Sequence, residues 1–428
     1  MAGRNYGDGS LKGGSVKCLD FQYNLKILTK NFSSCSLVNS DGALIFSKDQ
    51  NPAWLTTTRL VAFQIVKKYL KPQPRDLFIL NDPENGGFQY SKLLFIAALS
   101  NNLFLIWDEE FHFIDFKIPP TPLYDQGVKN EFVWKALIQS NEHASAVEFF
   151  ILQQKAKIDC ITSLKKNVDE LSSRDNQAKW LKSTQEIFHI QFNNKALGNF
   201  ETQAKLKNGQ FIKLKFSAEE RQNIKLFTLD FTNTNLATDF YAASHVVESA
   251  IVKKIVEFYD FGDFFTQSIL DKIKVILPPR SIVSKPNPSG ENNLEIQAVC
   301  SQLCEHNLLQ MNTHSRKSHA QFDFVNFLNF HIRSGDVFVS GQIHPQAVVF
   351  NGFEDLITRH LIEIQKMRKG ENQNQIKFKV LAENDFKVKI NNRYITDEQG
   401  IRFKINSVVK DAGQFALSGG DLVEIEWN

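Results

Sequence analysis

Apolar and polar positions alternate along residues 16–50, and Asp41-Gly42 falls between "SCSLV" and "ALIF", so a β-hairpin is expected there. The next segment, "WLTTTRLVAFQIVKKYL", places Trp54, Val61, Ile65 and Tyr69 at helical spacing. Pro72 ends that helix, because proline pushes the residue before it out of the helical region. "DLFIL" reads as a short buried strand, and "KLLFIAAL" and "LFLIW" as two strands joined at Ser100-Asn101-Asn102. From 141 to 172 the residues Val147, Phe150, Ile151, Ile158, Ile161, Leu164, Val168 and Leu171 share one helical face. A second helix is expected near 178–190, strands over 199–232, and helices over 236–259, near 292–310 and over 353–370. A loop rich in Pro, Ser, Gly and Asn spans 277–293, and a Phe-rich strand region follows the helix near 292–310. The alternating runs "IKFKV", "FKVKI", "IRFKI" and "LVEIEW" form a small β unit at about 372–428.

The chain has 428 residues, enough for a large core and more than one domain. Its formal charge of +3 gives no sign of a nucleic-acid surface. The longest clean apolar run, "LLFIAAL", is far short of a membrane span, so no membrane association is expected. The start, "MAGRNYGDGSLKGGSVKC", lacks an apolar h-region and does not read as a signal peptide. Five sparse cysteines suit a reduced, cytoplasmic compartment. Glycine is low, 21 of 428, and phenylalanine is high at 37.

The stretch "NDPENGGFQYSK" bends the chain twice in a few residues, through Pro83 and then Gly86-Gly87. Such loops usually present chemistry, yet no good metal ligand or general base follows the glycines within it. Elsewhere, Cys300 and Cys304 with His306 have the makings of a zinc site. Their i, i+4 spacing beside Val299 and Leu303 instead suits a half-buried helix face. No glycine-rich phosphate cradle is present, since "GGDLVEIEW" precedes a strand and not a helix.

Taken in order, several stretches resemble the hydantoinase B / oxoprolinase family, which includes subunits of hydantoinases, oxoprolinases and acetone-type carboxylases. "RDLFILNDPENGG" is similar to its Gly-Asp-Val-x-x-x-Asn-Asp-Pro-Tyr-x-Gly-Gly, "NFSSCSLVNSDG" to its Asp-Phe-Ser segment, and "EFHFID" to Arg-x-His-His-x-Asp. "LDFTNT", "LPPRSIVSKPNP" and the final "LSGGDLVEIEW" also resemble family segments. The resemblance implies an α+β fold: a large mixed α/β domain of the hydantoinase B type over 1–290, and a smaller C-terminal portion over 291–428 with the β-rich unit at its end. It further implies a divalent metal held by imidazole and carboxylate.

The four ligand positions that the resemblance implies fall on Asn31, Gln89, Lys92 and His112, so three of the four are changed. Asp115 is kept, and Asp82, Gly86 and Gly87 belong to the retained loop. The expectation is therefore a non-catalytic subunit or scaffold without metal or other cofactor, its remnant pocket formed by Asn31, Asp82, Gly86, Gly87, Gln89, Lys92, His112 and Asp115. It would work with a hydantoinase A-like subunit or another protein, and as a homo-oligomer. The alternative is a metal-dependent enzyme that opens cyclic amides with ATP, or carboxylates, alongside such a partner. A third option is a binder of a small anion through Lys92.

Overall fold

The computed structural model describes residues 16–49, 55–111, 116–139, 144–192, 198–206, 209–221, 224–238, 240–259, 261, 265–285 and 293–312, and most strand residues between 317 and 427. The fold is α+β. The first sheet has the order β2-β1-β5-β4-β3-β6-β7, and every pair in it is antiparallel. Its strands are β1 (Ser34–Val38), β2 (Leu44–Asp49), β3 (Leu77–Leu80), β4 (Lys92–Ser100), β5 (Leu103–Glu110), β6 (Thr121–Asp125) and β7 (Val128–Lys129). The expected hairpins at Asp41-Gly42 and at residues 100–102 are both present.

β4 reads as an almost unbroken apolar run because helices cover both faces of this sheet. Alternate residues of a strand point to opposite sides. Leu93, Phe95 and Ala97 pack with α1 (Val16–Thr29), α4 (Ala144–Thr162), α5 (Lys165–Ser172) and α6 (Arg174–Phe192). Leu94, Ile96 and Ala98 face Ala62, Phe63 and Val66 of α2 (Thr56–Leu70).

Four expectations need correction here. Residues 16–29 form a helix, not an alternating strand segment, because Phe21, Leu25 and Leu28 recur at helical spacing against the sheet. In α2 the core face is Arg59, Ala62, Phe63 and Val66, whereas Val61 and Ile65 are half-buried and Tyr69 is 67% exposed. Trp54 lies outside the described residues. Residues 144–172 form two helices, broken at Ser163-Leu164, although Val147, Ile151, Ile158, Ile161, Val168 and Leu171 are all buried as expected. Residues 362–369 are strand β16 (Ile362–Lys369), not helix. There Ile362 is buried, Glu363 exposed, Ile364 half-buried and Gln365 exposed, which is the period of a strand. Residues 353–361 of that expected helix lie outside the described residues.

A second sheet, ordered β11-β10-β9-β8-β12, is made of β8 (Gly198–Lys205), β9 (Phe211–Arg221), β10 (Ile224–Asp230), β11 (Ile273–Ile276) and β12 (Lys317–Phe322). It packs on α7 (Ser244–Phe258) and α9 (Asn293–Asn312). α7 starts eight residues later than the 236–259 reading, and Leu236 instead forms a β-bridge with Ser281. Two further five-stranded sheets hold the alternating C-terminal runs, including β17 (Asn374–Val380) beside β22 (Leu422–Trp427).

α2 and α7 join the two halves of this core. The start of α2 has no side-chain cap of its own. Ser249 of α7 supplies one, accepting from Thr57 N at 3.1 Å and Thr58 N at 3.3 Å, while Thr57 Oγ1 donates to His245 O at 2.7 Å. Helix starts leave such N–H groups without intrahelical partners, and these are buried. Ser249→Ala should therefore lower unfolding free energy by about 1–3 kcal/mol, measured by urea denaturation, with no change in far-UV circular dichroism. A loss below a few tenths would show that the cap contributes nothing.

Candidate functional site

The double bend over 81–92 is held mostly by side chains that satisfy backbone groups. Asn81 is fully buried; its Nδ2 donates to Tyr90 O at 2.8 Å and Phe116 O at 2.9 Å, and its Oδ1 accepts from Ile118 N at 2.6 Å. Asp82 caps the short turn of helix at Pro83–Asn85, accepting from Glu84 N at 3.0 Å, and it pairs with Lys117 at 3.1 Å. Gly86 has φ +89°, and a Cβ there would stand 2.6 Å from Ala62 N in α2. A Cβ on Gly87 would stand 2.1 Å from Asn81 O. Both glycines are thus required for close backbone approach.

The far side of the loop is fastened to α7 and α9. His245 Nε2 lies 3.0 Å from Gly87 O. A carbonyl only accepts, so Nε2 carries the proton. Burial lowers the pKa of this imidazole, opposed by the bond to Gly87, and keeps it neutral. Asn293 Nδ2 donates to Phe88 O at 2.5 Å, and its Oδ1 accepts from Ala243 N at 3.2 Å. Phe88 itself packs with Leu55, Ala243 and Val246.

The loop ends at Lys92, and here the structure holds an unexpected group of charges. Lys92 is 1% exposed. In β4 it shares a face with Leu94, whose partner across the ladder is Asp108 of β5. Lys92 Nζ lies 3.7 Å from Asp108 Oδ2. Asp108 Oδ1 accepts from Arg59 Nε at 3.0 Å and also meets Arg59 Nη2. Arg59, with no exposed surface, reaches on to Asp49 Oδ2 at 3.2 Å and Ser36 Oγ at 3.3 Å. Ser34 Oγ lies 2.7 Å from Asp49 Oδ1 and 3.0 Å from Asp108 Oδ1. Two cations and two carboxylates are thus enclosed at one end of the first sheet, where α2 covers it.

The carboxylates differ. Burial alone would raise Asp108, but Arg59 and then Lys92 bring it below the ordinary carboxylate range. Burial raises Asp49, and Arg59 offsets that only in part. Asp108 is therefore the permanent anion of the group, and Asp49 is the one that accepts a proton first. Asp108 Oδ2 has no hydrogen-bond partner among the described residues, so Lys92 supplies the charge that it faces.

Of the residues expected in a remnant pocket, Asp82, Gly86, Gly87, Gln89 and Lys92 lie together in the loop. Gln89 is half-buried, with Nε2 donating to Ser91 Oγ at 3.0 Å. Asn31 is exposed in the turn after α1 and makes no hydrogen bond or ion pair with them among the described residues. Phe111 N donates to Ser91 O at 2.7 Å, which brings the end of β5 beside the loop. His112 and Asp115 follow it and lie outside the described residues.

Cys300 and Cys304 are buried in α9 with thiols raised by burial, and Cys35 is buried and pushed up to about 12, so none of the three has reactive character. No group of three or more metal-ligating side chains occurs among the described residues. Arg59, Asp108, Asp49, His245 and Asn293 were not singled out in the sequence. The signal was there for Arg59, a cation inside the apolar run "TTTRLVAF".

The different states of the two carboxylates have a pH consequence. A carboxylate with a depressed folded pKa contributes stability above its unfolded value and loses it as pH falls; one with a raised pKa does the reverse. At pH 7, Asp108→Asn should thus be more destabilising than Asp49→Asn. The gap should close as pH falls through the carboxylate range, read by denaturant unfolding across pH. Equal costs at all pH values would contradict this assignment.

No protein-family model matches the sequence, and no curated protein matches it. Solved structures do match in fold. One is the ATP-dependent caprolactamase from Pseudomonas jessenii, with a TM-score of 0.70, 11% identity, and coverage of 96% of this chain and 88% of that one. Another is acetone carboxylase in its nucleotide-free structure, with a TM-score of 0.67, 9% identity, and coverage of 96% and 73%. The chain therefore shares its α+β fold with these two proteins along nearly its whole length.

Proposed function

We propose that this chain is a non-catalytic protein of the hydantoinase B type, a subunit or scaffold that acts through a protein partner such as a hydantoinase A-like subunit. The observation that supports this most is the setting of Lys92. Under the family resemblance its position belongs to a metal-binding carboxylate. Here it carries an ammonium that is buried against Asp108.

The other positions do not fit a tightly held divalent ion either. They carry neutral amides, Gln89 and Asn31, where the resemblance implies an imidazole and a carboxylate, and Asn31 is exposed. At about 4 Å and an effective dielectric of about 20, a divalent ion and an ammonium repel by roughly 8 kcal/mol. One imidazole, from His112, does not offset that. Burial of Lys92 and its pairing with Asp108 also speak against a small-anion site, because its charge is already met.

The retained loop, in contrast, is anchored in detail by Asn81, His245 and Asn293, as expected if the surface that it supports still has a use. The two fold relatives are an ATP-dependent caprolactamase and an enzyme of ATP-dependent acetone carboxylation. Working with a companion protein would suit a relative of these that has given up its chemistry.

The test is metal binding. Elemental analysis after mild purification should show well below one zinc or manganese per chain, and neither ion should raise the melting temperature. The variant Asn31→Asp, Gln89→His, Lys92→Asp should gain metal-dependent stabilisation, since it restores two carboxylates and, with His112, two imidazoles. One tightly held ion per parent chain would contradict the non-catalytic reading. A folded variant that gains nothing would contradict the assignment of these positions.

A further inference from the structure

Among the described residues that join the 81–92 loop to α7 and α9, one can titrate near neutral pH. It is His245, the second residue of α7, and it is buried. Its Nε2 donates to Gly87 O at 3.0 Å. The other contacts across this joint are between neutral groups: Asn293 with Phe88 O, Thr57 with Ser249, and the apolar side chains of Leu55, Phe88, Ala243 and Val246.

A proton added to this imidazole has nothing to meet it. It would create a donor at Nδ1, which makes no hydrogen bond among the described residues. It would also create a charge, and the charged groups of the packed elements are committed elsewhere. From the loop, Asp82 and Glu84 pair with Lys117, and Lys92 faces Asp108. From α2, Arg59 is held by Asp108 and Asp49. From α7, Glu248 is shifted upward by burial alone, so it and the imidazole do not act on each other. At the start of α9 the described polar side chains, Asn293 and Gln297, are neutral. A buried charge without a partner is costly, and that cost disappears once the loop lifts and water reaches the ring.

We infer that His245 is a pH-sensitive clasp, which holds the loop to α7 while neutral and releases it when protonated. Burial lowers the imidazole pKa in the closed form, and opening returns it to about 6.5. The closed form therefore has its full stability above about pH 6.5 and loses it as pH falls. Glu248 works in the opposite direction, since a carboxylate raised by burial favours the closed form in acid. Asp108, held low by Arg59 and Lys92, gives way only at more acidic pH. Of these groups, only the imidazole loosens the joint just below neutrality.

The experiment is amide hydrogen exchange on the full chain at pH 7.5 and 5.5, corrected for intrinsic rates. The probes are the amides of Asn85 and Gly87, both bonded to Asp82 O in the closed loop. Their opening constant should rise about five- to tenfold at the lower pH. They should also exchange well ahead of Phe95 and Ile96 in β4, because the opening is local. His245→Gln keeps a side-chain amide that can donate to Gly87 O and has nothing to titrate, so its loop should open equally at both pH values. Should that variant not fold, the imidazole resonances of the parent decide: His245 should stay neutral below pH 6.5, with its proton on Nε2. A His245 that titrates near 6.5 in the folded chain overturns the inference. So does a parent loop that opens equally at both pH values, a glutamine variant that keeps the parent's rise, or loop amides that exchange only in step with β4.

Discussion

A guanidinium with no exposed surface holds one end of the seven-stranded sheet together. Arg59 reaches Asp108 on β5, Asp49 at the end of β2, and Ser34 and Ser36 on β1, all from a helix laid across the sheet. Burying ions this deeply costs several kcal/mol per ion, and their mutual attraction offsets that only when geometry and hydrogen bonds are good. Here most of the acceptors have donors, so the group fixes where α2 sits and how the first strands line up. Its contribution is to geometry more than to net stability, because an apolar replacement of equal volume would be about as stable.

The rest of the region follows from that placement. With α2 fixed by Arg59 and by Ser249, the backbone at Ala62 comes so close to the loop that only glycine fits at position 86. With the loop fixed, its last residue enters β4 pointing at Asp108. A carboxylate at position 92 would set two anions side by side. A lysine supplies the positive charge covalently.

Local patterns made most of the elements of the first sheet readable. The Asp-Gly turn, the helix stop at Lys71, where φ is +46°, and the buried runs in β3, β4 and β5 all depend on residues close in sequence. Failures came where two readings of one pattern compete. Val61, Ile65 and Tyr69 make a good helical stripe, but the helix turns Arg59, Ala62, Phe63 and Val66 inward, since the sheet offers Arg59 two carboxylates. Residues 362–369 suit either period until β17 pairs with them. The loop's glycines and Lys92 were visible as a motif, and their partners were not. Asp108 is 16 residues from Lys92, Arg59 is 33 away, and His245 and Asn293 lie more than 150 residues on. Only the fold brings them together.

The most direct test of the claim that Lys92 serves as the fixed counter-charge of Asp108 is a double-mutant cycle between the two. Lys92→Met, Asp108→Asn and the double variant would be compared with the parent by denaturant unfolding at neutral pH. The account predicts that the double variant loses less than the sum of the single losses, with a coupling of about 1 kcal/mol or more. Losses that add to within about 0.5 kcal/mol would mean that the ammonium and the carboxylate do not act on each other. Lys92 would then have no claim to the place of a metal.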